Sequence, residues 1–98
     1  MAIRVKVKTL GILYNMTGKI EHEVEVGDDA TLRDVIRKLV EAYPSLGEEI
    51  FDGDKFSSDY RILLNGREAA YLQGEETRVK NGDEVVVIPP VGGGYETI

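Results

Sequence analysis

The sequence contains no cysteine and no tryptophan. Without a thiol the chain forms no disulfide, holds no iron–sulfur cluster through thiolates and offers no cysteine nucleophile. Any sulfur chemistry it joins must therefore use another atom. Histidine is nearly as scarce. His22 is the only one, and it falls on the inward phase of an alternating segment, so a packed imidazole is expected ahead of a catalytic base. No serine or acid around it completes a triad. Long apolar runs are missing as well: Met1 to Lys8 alternates apolar and charged from the outset. That leaves neither the apolar stretch of a signal peptide nor a membrane span, and points to the cytoplasm. Basic residues are outnumbered, 12 Lys and Arg against 18 Asp and Glu, for a formal charge of -6. This balance disfavours nucleic acid and anionic membrane, which are held by Lys and Arg meeting phosphate, and favours basic protein surfaces.

What is present suits one small domain: 98 residues with 42% hydrophobic content can close one modest core. Ile3, Val5 and Val7 point one way and Arg4, Lys6 and Lys8 the other, the period of a half-buried strand. After a loop the alternation returns from Lys19 to Val26, with Ile20, His22, Val24 and Val26 inward and Glu21, Glu23 and Glu25 outward. An antiparallel hairpin would set the acidic stripe against the basic one. Such a face reads either as weak solvated ion pairs or as a docking surface. Between the strands, Leu10, Ile12, Leu13, Tyr14 and Met16 add apolar surface that either closes the end of the core or serves a partner protein.

At Thr31 the period changes. Leu32, Val35, Ile36, Leu39, Val40 and Tyr43 recur at helical spacing, Thr31 and Asp34 form a capping pair, and Pro44 closes the helix. Residues 44–58 read as a long acidic loop with one helical turn around Glu48 to Phe51, tethered by Ile50, Phe51 and Phe56. Its Asp52-Gly53-Asp54 lacks the ligand alternation of a calcium loop and reads as a solvated cluster. Tyr60 to Leu64 is a strand running into the turn Asn65-Gly66, with a short strand near Thr77 to Val79. Asn81-Gly82 turns the chain into Glu84-Val85-Val86-Val87-Ile88, a β-branched run expected to be a central strand covered on both faces. The order is that of an α+β domain over residues 1–90, followed by a glycine-rich tail over residues 91–98.

That order resembles the β-grasp fold of ubiquitin, and the chain end resembles the MoaD/ThiS sulfur carriers, including the archaeal small modifier proteins. The resemblance is carried by the opening strand, Thr17-Gly18, Ala30-Thr31-Leu32-Arg33-Asp34-Val35, and Asn81-Gly82-Asp83-Glu84-Val85 leading into Ile88-Pro89-Pro90-Val91-Gly92-Gly93-Gly94. It implies a mixed four- to five-stranded sheet packed on one main helix. It further implies that Gly94 supplies a reacting carboxylate, with Gly93 as its neighbour and Gly92 in place of the usual small residue. An activating enzyme related to the ubiquitin-activating type would adenylate that carboxylate with ATP, and a sulfur donor would then displace AMP to leave a thiocarboxylate. The chain itself would bind no cofactor or metal and supply no catalytic residue. The residue types agree with this chemistry: glycine removes every Cβ near a carbonyl that must thread into another protein's site. Pro89-Pro90 fixes the backbone and projects Val91 and Gly92 away from the sheet. The triplet is no phosphate loop, since no Gly-Lys-Ser/Thr follows it; without the prolines the same glycines would read as a loose terminus.

The sequence departs from the family pattern at its end, because Tyr95-Glu96-Thr97-Ile98 follows Gly94. One expectation is that a processing protease cuts between Gly94 and Tyr95; the alternative is a non-conjugating β-grasp interaction module that keeps the extension. Within the carrier reading three destinations stay open. These are the small subunit of molybdopterin synthase beside its large subunit, a sulfur donor for thiamine or tRNA thiolation, and a modifier joined to the lysines of target proteins. Leu10, Ile12 and Tyr14 are the candidate partner surface.

Overall fold

The opposed charge stripes do form a hairpin, from β1 (Ala2–Thr9) and β2 (Glu21–Gly27). The computed structural model describes residues 1–90. Register sets Arg4 opposite Glu25, Lys6 opposite Glu23 and Lys8 opposite Glu21. Two charges meet on diagonals, Arg4 reaching Glu23 at 3.7 Å and Lys6 reaching Glu21 at 4.0 Å, while Lys8 meets its opposite Glu21 at 4.0 Å and crosses to Glu84 at 3.2 Å. Solvent-facing pairs of this kind contribute about 0.2–1 kcal/mol each. Ile20, expected to face inward, is instead 49% exposed. It precedes the first ladder pair, and its carbonyl accepts from the Thr9 N–H at 2.8 Å, so the inward phase begins only at His22.

The segment expected to be a loop after β1 contains a short helix, α1 (Ile12–Thr17). Gly11, at φ 60° and ψ -130°, is the first central residue of a tight turn that the Leu13 N–H closes on the Leu10 carbonyl at 3.1 Å. That conformation belongs to glycine. Gly18, left-handed at φ 79°, ends α1 by donating to the Tyr14 carbonyl at 2.7 Å.

Helix α2 (Leu32–Ala42) forms where the spacing places it, with both halves of the Thr31–Asp34 capping box present. Leu32, Val35, Ile36 and Leu39 are buried in one core with Val5, Val7, Val24, Ile62, Leu64, Val85 and Val87 of the sheet. Tyr43 is already out of the helical region, as a residue before proline is forced to be. Residues 44–58 are more structured than a loop. They hold α3 (Leu46–Ile50) and a small hairpin of β3 (Phe51–Asp52) and β4 (Lys55–Phe56). The expected tethers hold: Ile50 is fully buried and the rings of Phe51 and Phe56 lie 5.5 Å apart. Leu46, fully buried, is an anchor the sequence reading passed over.

β5 (Arg61–Leu64) turns through Asn65 (φ 51°) and Gly66 (φ 85°) into β6 (Arg67–Glu68). The strand expected near Thr77 to Val79 is reduced to one bridge between Thr31 and Arg78. Hydrogen bonds from Leu32 to the Thr77 carbonyl and from Val79 to the Ala30 carbonyl clamp that segment to the start of α2. β7 (Glu84–Ile88) is central, in the order β2-β1-β7-β5-β6, parallel to β1 and antiparallel to β5. It is not covered on both faces. Val85 and Val87 are fully buried, whereas Glu84, Val86 and Ile88 face the side away from the core and are only half-buried. The β-branched side chains of Val86 and Ile88 suit a strand flanked on both edges, which is why the run looks doubly covered in the sequence.

Candidate functional site

β7 delivers the chain to Pro89 and Pro90 between the end of β1 and the start of β5, with Thr9 opposite Val87 and Arg61 opposite Ile88. Proline has no N–H to continue a ladder, and among the described residues pairing along β7 ends at Ile88. Pro89 is half-buried and Pro90 exposed. Gly11 supports the first proline from behind: a Cβ there would sit 2.9 Å from Pro89 Cγ. This residue is therefore glycine for two reasons, its backbone angles and the approach of the proline ring. Nothing in the sequence reading singled it out; its signal was a glycine directly after Leu10, two residues past the end of β1.

The turn touching Pro89 leads into the candidate partner surface. Leu13 fills the core, while Ile12 is 51% exposed, Tyr14 is 44% exposed and Leu10 is half-buried. Leu13 thus closes the end of the core, whereas Ile12 and Tyr14 stand in solvent beside the tail's base.

A small polar network fixes α1 from beneath. The Lys19 carbonyl accepts from Thr9 Oγ1 and Thr17 Oγ1, each at 2.8 Å, and lies 3.1 Å from His22 Nε2. His22 Nε2 is also 3.1 Å from Thr9 Oγ1, and the ring meets Tyr43 edge-on at 5.3 Å. Burial holds the imidazole below its ordinary pKa of 6.5; the Lys19 carbonyl opposes this and the Lys19 charge adds to it. His22 is thus a packed peg joining β1, β2 and the segment that follows α1, with Tyr43 at the end of α2 against its ring.

On the other flank, Tyr60 donates to Glu49 Oε1 at 2.7 Å, and burial followed by that carboxylate pushes its phenol pKa up. Arg61 is tied to Glu68 at 3.1 Å. In the acidic loop, Asp54 pairs with Arg37 at 2.7 Å and its carbonyl accepts from Arg33 at 3.0 Å. Among the described residues no three His, Asp or Glu side chains converge as a metal site, and no helix is long and apolar enough to cross a membrane. Val91, Gly92, Gly93, Gly94 and the Gly94–Tyr95 junction lie outside the described residues.

Residues 7–94 match the ThiS family. The chain belongs to it. Over 69 residues it is 41% identical to small archaeal modifier protein 3 of Haloferax volcanii, covering 70% of this chain and 75% of that one. Over 92 residues it is 30% identical to the molybdopterin synthase sulfur carrier subunit of Chlamydomonas reinhardtii, covering 94% and 100%. The solution structure of small archaeal modifier protein 1 from Methanosarcina acetivorans superimposes with a TM-score of 0.83 at 34% identity, over 96% of this chain and 99% of that one. The fold of this ThiS-family chain is the ubiquitin-like β-grasp, and its relatives are sulfur carriers and protein modifiers rather than catalysts.

Proposed function

We propose that the chain is a precursor of a ubiquitin-like carrier whose reactive end is Gly93-Gly94, exposed by removal of residues 95–98. The observation that carries this reading is where the family match stops: it runs through Gly94 and excludes Tyr95 to Ile98. Support comes from the base of the tail, where a central strand runs into two prolines and Gly11 lies against the first of them.

In this reading the free Gly94 carboxylate attacks the α-phosphorus of ATP in an activating enzyme, and pyrophosphate leaves. The resulting acyl-adenylate then loses AMP to one of two nucleophiles. Free sulfide displaces AMP to leave a thiocarboxylate directly, whereas a donor's persulfide displaces AMP to form an acyl disulfide whose S–S bond a thiol reductant then cleaves, leaving the thiocarboxylate and a disulfide between donor and thiol; a lysine amine leaves an isopeptide bond and a proton. Glycine at both terminal positions keeps the carbonyl open to in-line attack. A molybdopterin synthase large subunit is the receiver on the sulfur branch and target-protein lysines on the other, following the names of the relatives on each side.

The experiment compares full-length protein with a form ending at Gly94, each incubated with the activating enzyme of its own cells, ATP and a sulfur donor, and read by intact mass. The trimmed form is expected to gain AMP and then sulfur, and the full-length form to stay unchanged. No adduct on the trimmed form would end the carrier reading. Finding only full-length protein in native cells would favour the interaction module that keeps Tyr95 and Ile98.

A further inference from the structure

Seven of the twelve Lys and Arg side chains, from Arg4 to Arg61, meet a carboxylate within 4.0 Å among the described residues. Arg67, Arg78 and Lys80 do not, and these three line a single concavity of about 400 Å³. A chain of formal charge -6 has carboxylate to spare, so an unneutralised trio of cations is a local reversal of sign. The other cations without a carboxylate partner, Lys19 and Lys55, lie on different elements and do not line this concavity.

The wall behind the trio is braced. Asn65 Oδ1 accepts from the Glu84 N–H at 2.9 Å and its Nδ2 donates to Asp83 Oδ1 at 3.0 Å; Asp83 Oδ2 accepts from the Lys80 N–H at 2.7 Å. Asp83, the one carboxylate lining the concavity, is therefore committed to the backbone and to Asn65 rather than to the cations. Leu64 and the 37% exposed Leu72 supply apolar lining between the charges. Two guanidinium forks and an ammonium around an apolar patch match carboxylates interleaved with apolar side chains.

We propose that this concavity receives an acidic, leucine-bearing segment of a partner protein. It lies at the start of β7, about 13 Å of strand away from Ile88 at the other end. The inference is independent of the chemistry assigned to Gly94: it concerns binding by the folded domain alone.

The test is titration of isotope-labelled full-length protein with a synthetic peptide of repeated Asp-Glu-Leu, followed by backbone amide shifts, with an Asn-Gln-Leu peptide and inorganic phosphate as comparators. Shifts confined to residues around Arg67, Leu72, Arg78 and Lys80, absent with the neutral peptide and weakened by added salt, are expected. Replacing Arg67, Arg78 and Lys80 together by Gln should weaken binding about tenfold or more, while Lys19→Gln with Lys55→Gln should leave it unchanged. If the triple variant does not fold, Arg67→Gln with Lys80→Gln carries the same test. Shifts scattered over all exposed cations, or unaltered affinity in the Gln variants, would overturn the proposal. Phosphate binding at the same residues as tightly as the peptide would overturn it too, by making this a site for free anions.

Discussion

Gly11 couples the shape of α1 to the position of the tail, and alanine scanning can separate its two roles. At φ 60° and ψ -130° a side chain is strained by about 1–3 kcal/mol, and its Cβ would press on a proline ring that cannot swing aside. Gly18, left-handed at φ 79° with nothing within 4 Å of its would-be Cβ, carries strain alone. Gly11→Ala should therefore lower the urea midpoint more than Gly18→Ala, which should cost about 1 kcal/mol. Equal losses would mean that Pro89 yields freely. His22 makes a second prediction at this scale. Its folded pKa lies below the unfolded 6.5, so the unfolded chain binds the proton more readily. The stability it secures is present above 6.5 and is lost as the pH falls through that value toward the folded pKa. Chemical denaturation followed downward from neutral pH, above the carboxylate range, should show stability falling, and the imidazole resonances should titrate below 6.5. A flat profile, or a raised imidazole pKa, would contradict the buried peg.

At the scale of elements, α2 is the segment whose ends and face were both legible, because cap, apolar spacing and terminating proline agree. Removing one end of the capping box tests that agreement: Thr31→Ala should cost about 1 kcal/mol of unfolding free energy, measured by thermal or urea denaturation. A neutral result would shift the credit to the clamp that Thr77 and Val79 make on the start of α2. The elements the sequence concealed share a physical cause. α1 has six residues, one of them buried, and no side-chain cap, so no period develops. β3 and β4 have two residues each and are held by Leu46, Ile50 and the Phe51–Phe56 contact rather than by propensity. For β7 the error has the opposite sign: Val86 and Ile88 look buried by type but face the half-covered side, beside Leu63 and Arg61. Composition reports what a strand's edges demand, and only topology says which faces are covered.

At the scale of the whole molecule, the order of elements was readable because each strand carries its own alternation, whereas the tail's supports were not. Gly11 and Pro89 meet across nearly the full length of the domain, and no local pattern signals such a contact. The glycine motif was legible for the opposite reason, being contiguous. On the proposed function, this contrast would separate a domain that folds from a chain end that reacts. Among the described residues, every buried member of the hydrophobic core lies between Val5 and Val87, and the ladder pair furthest along β7 is Arg61 with Ile88. A chain ended after Pro90 should therefore melt within about 2 °C of the full-length protein and keep its amide shifts in β1, β7 and α2. If instead its melting temperature fell by several degrees, residues beyond Pro90 would be part of the folded unit, and every tail variant would confound chemistry with stability. With the fold intact, changes at Gly93, Gly94 or the Gly94–Tyr95 junction report on transfer chemistry alone, so a trimmed protein that fails to take AMP fails as a carrier and not as a folded domain.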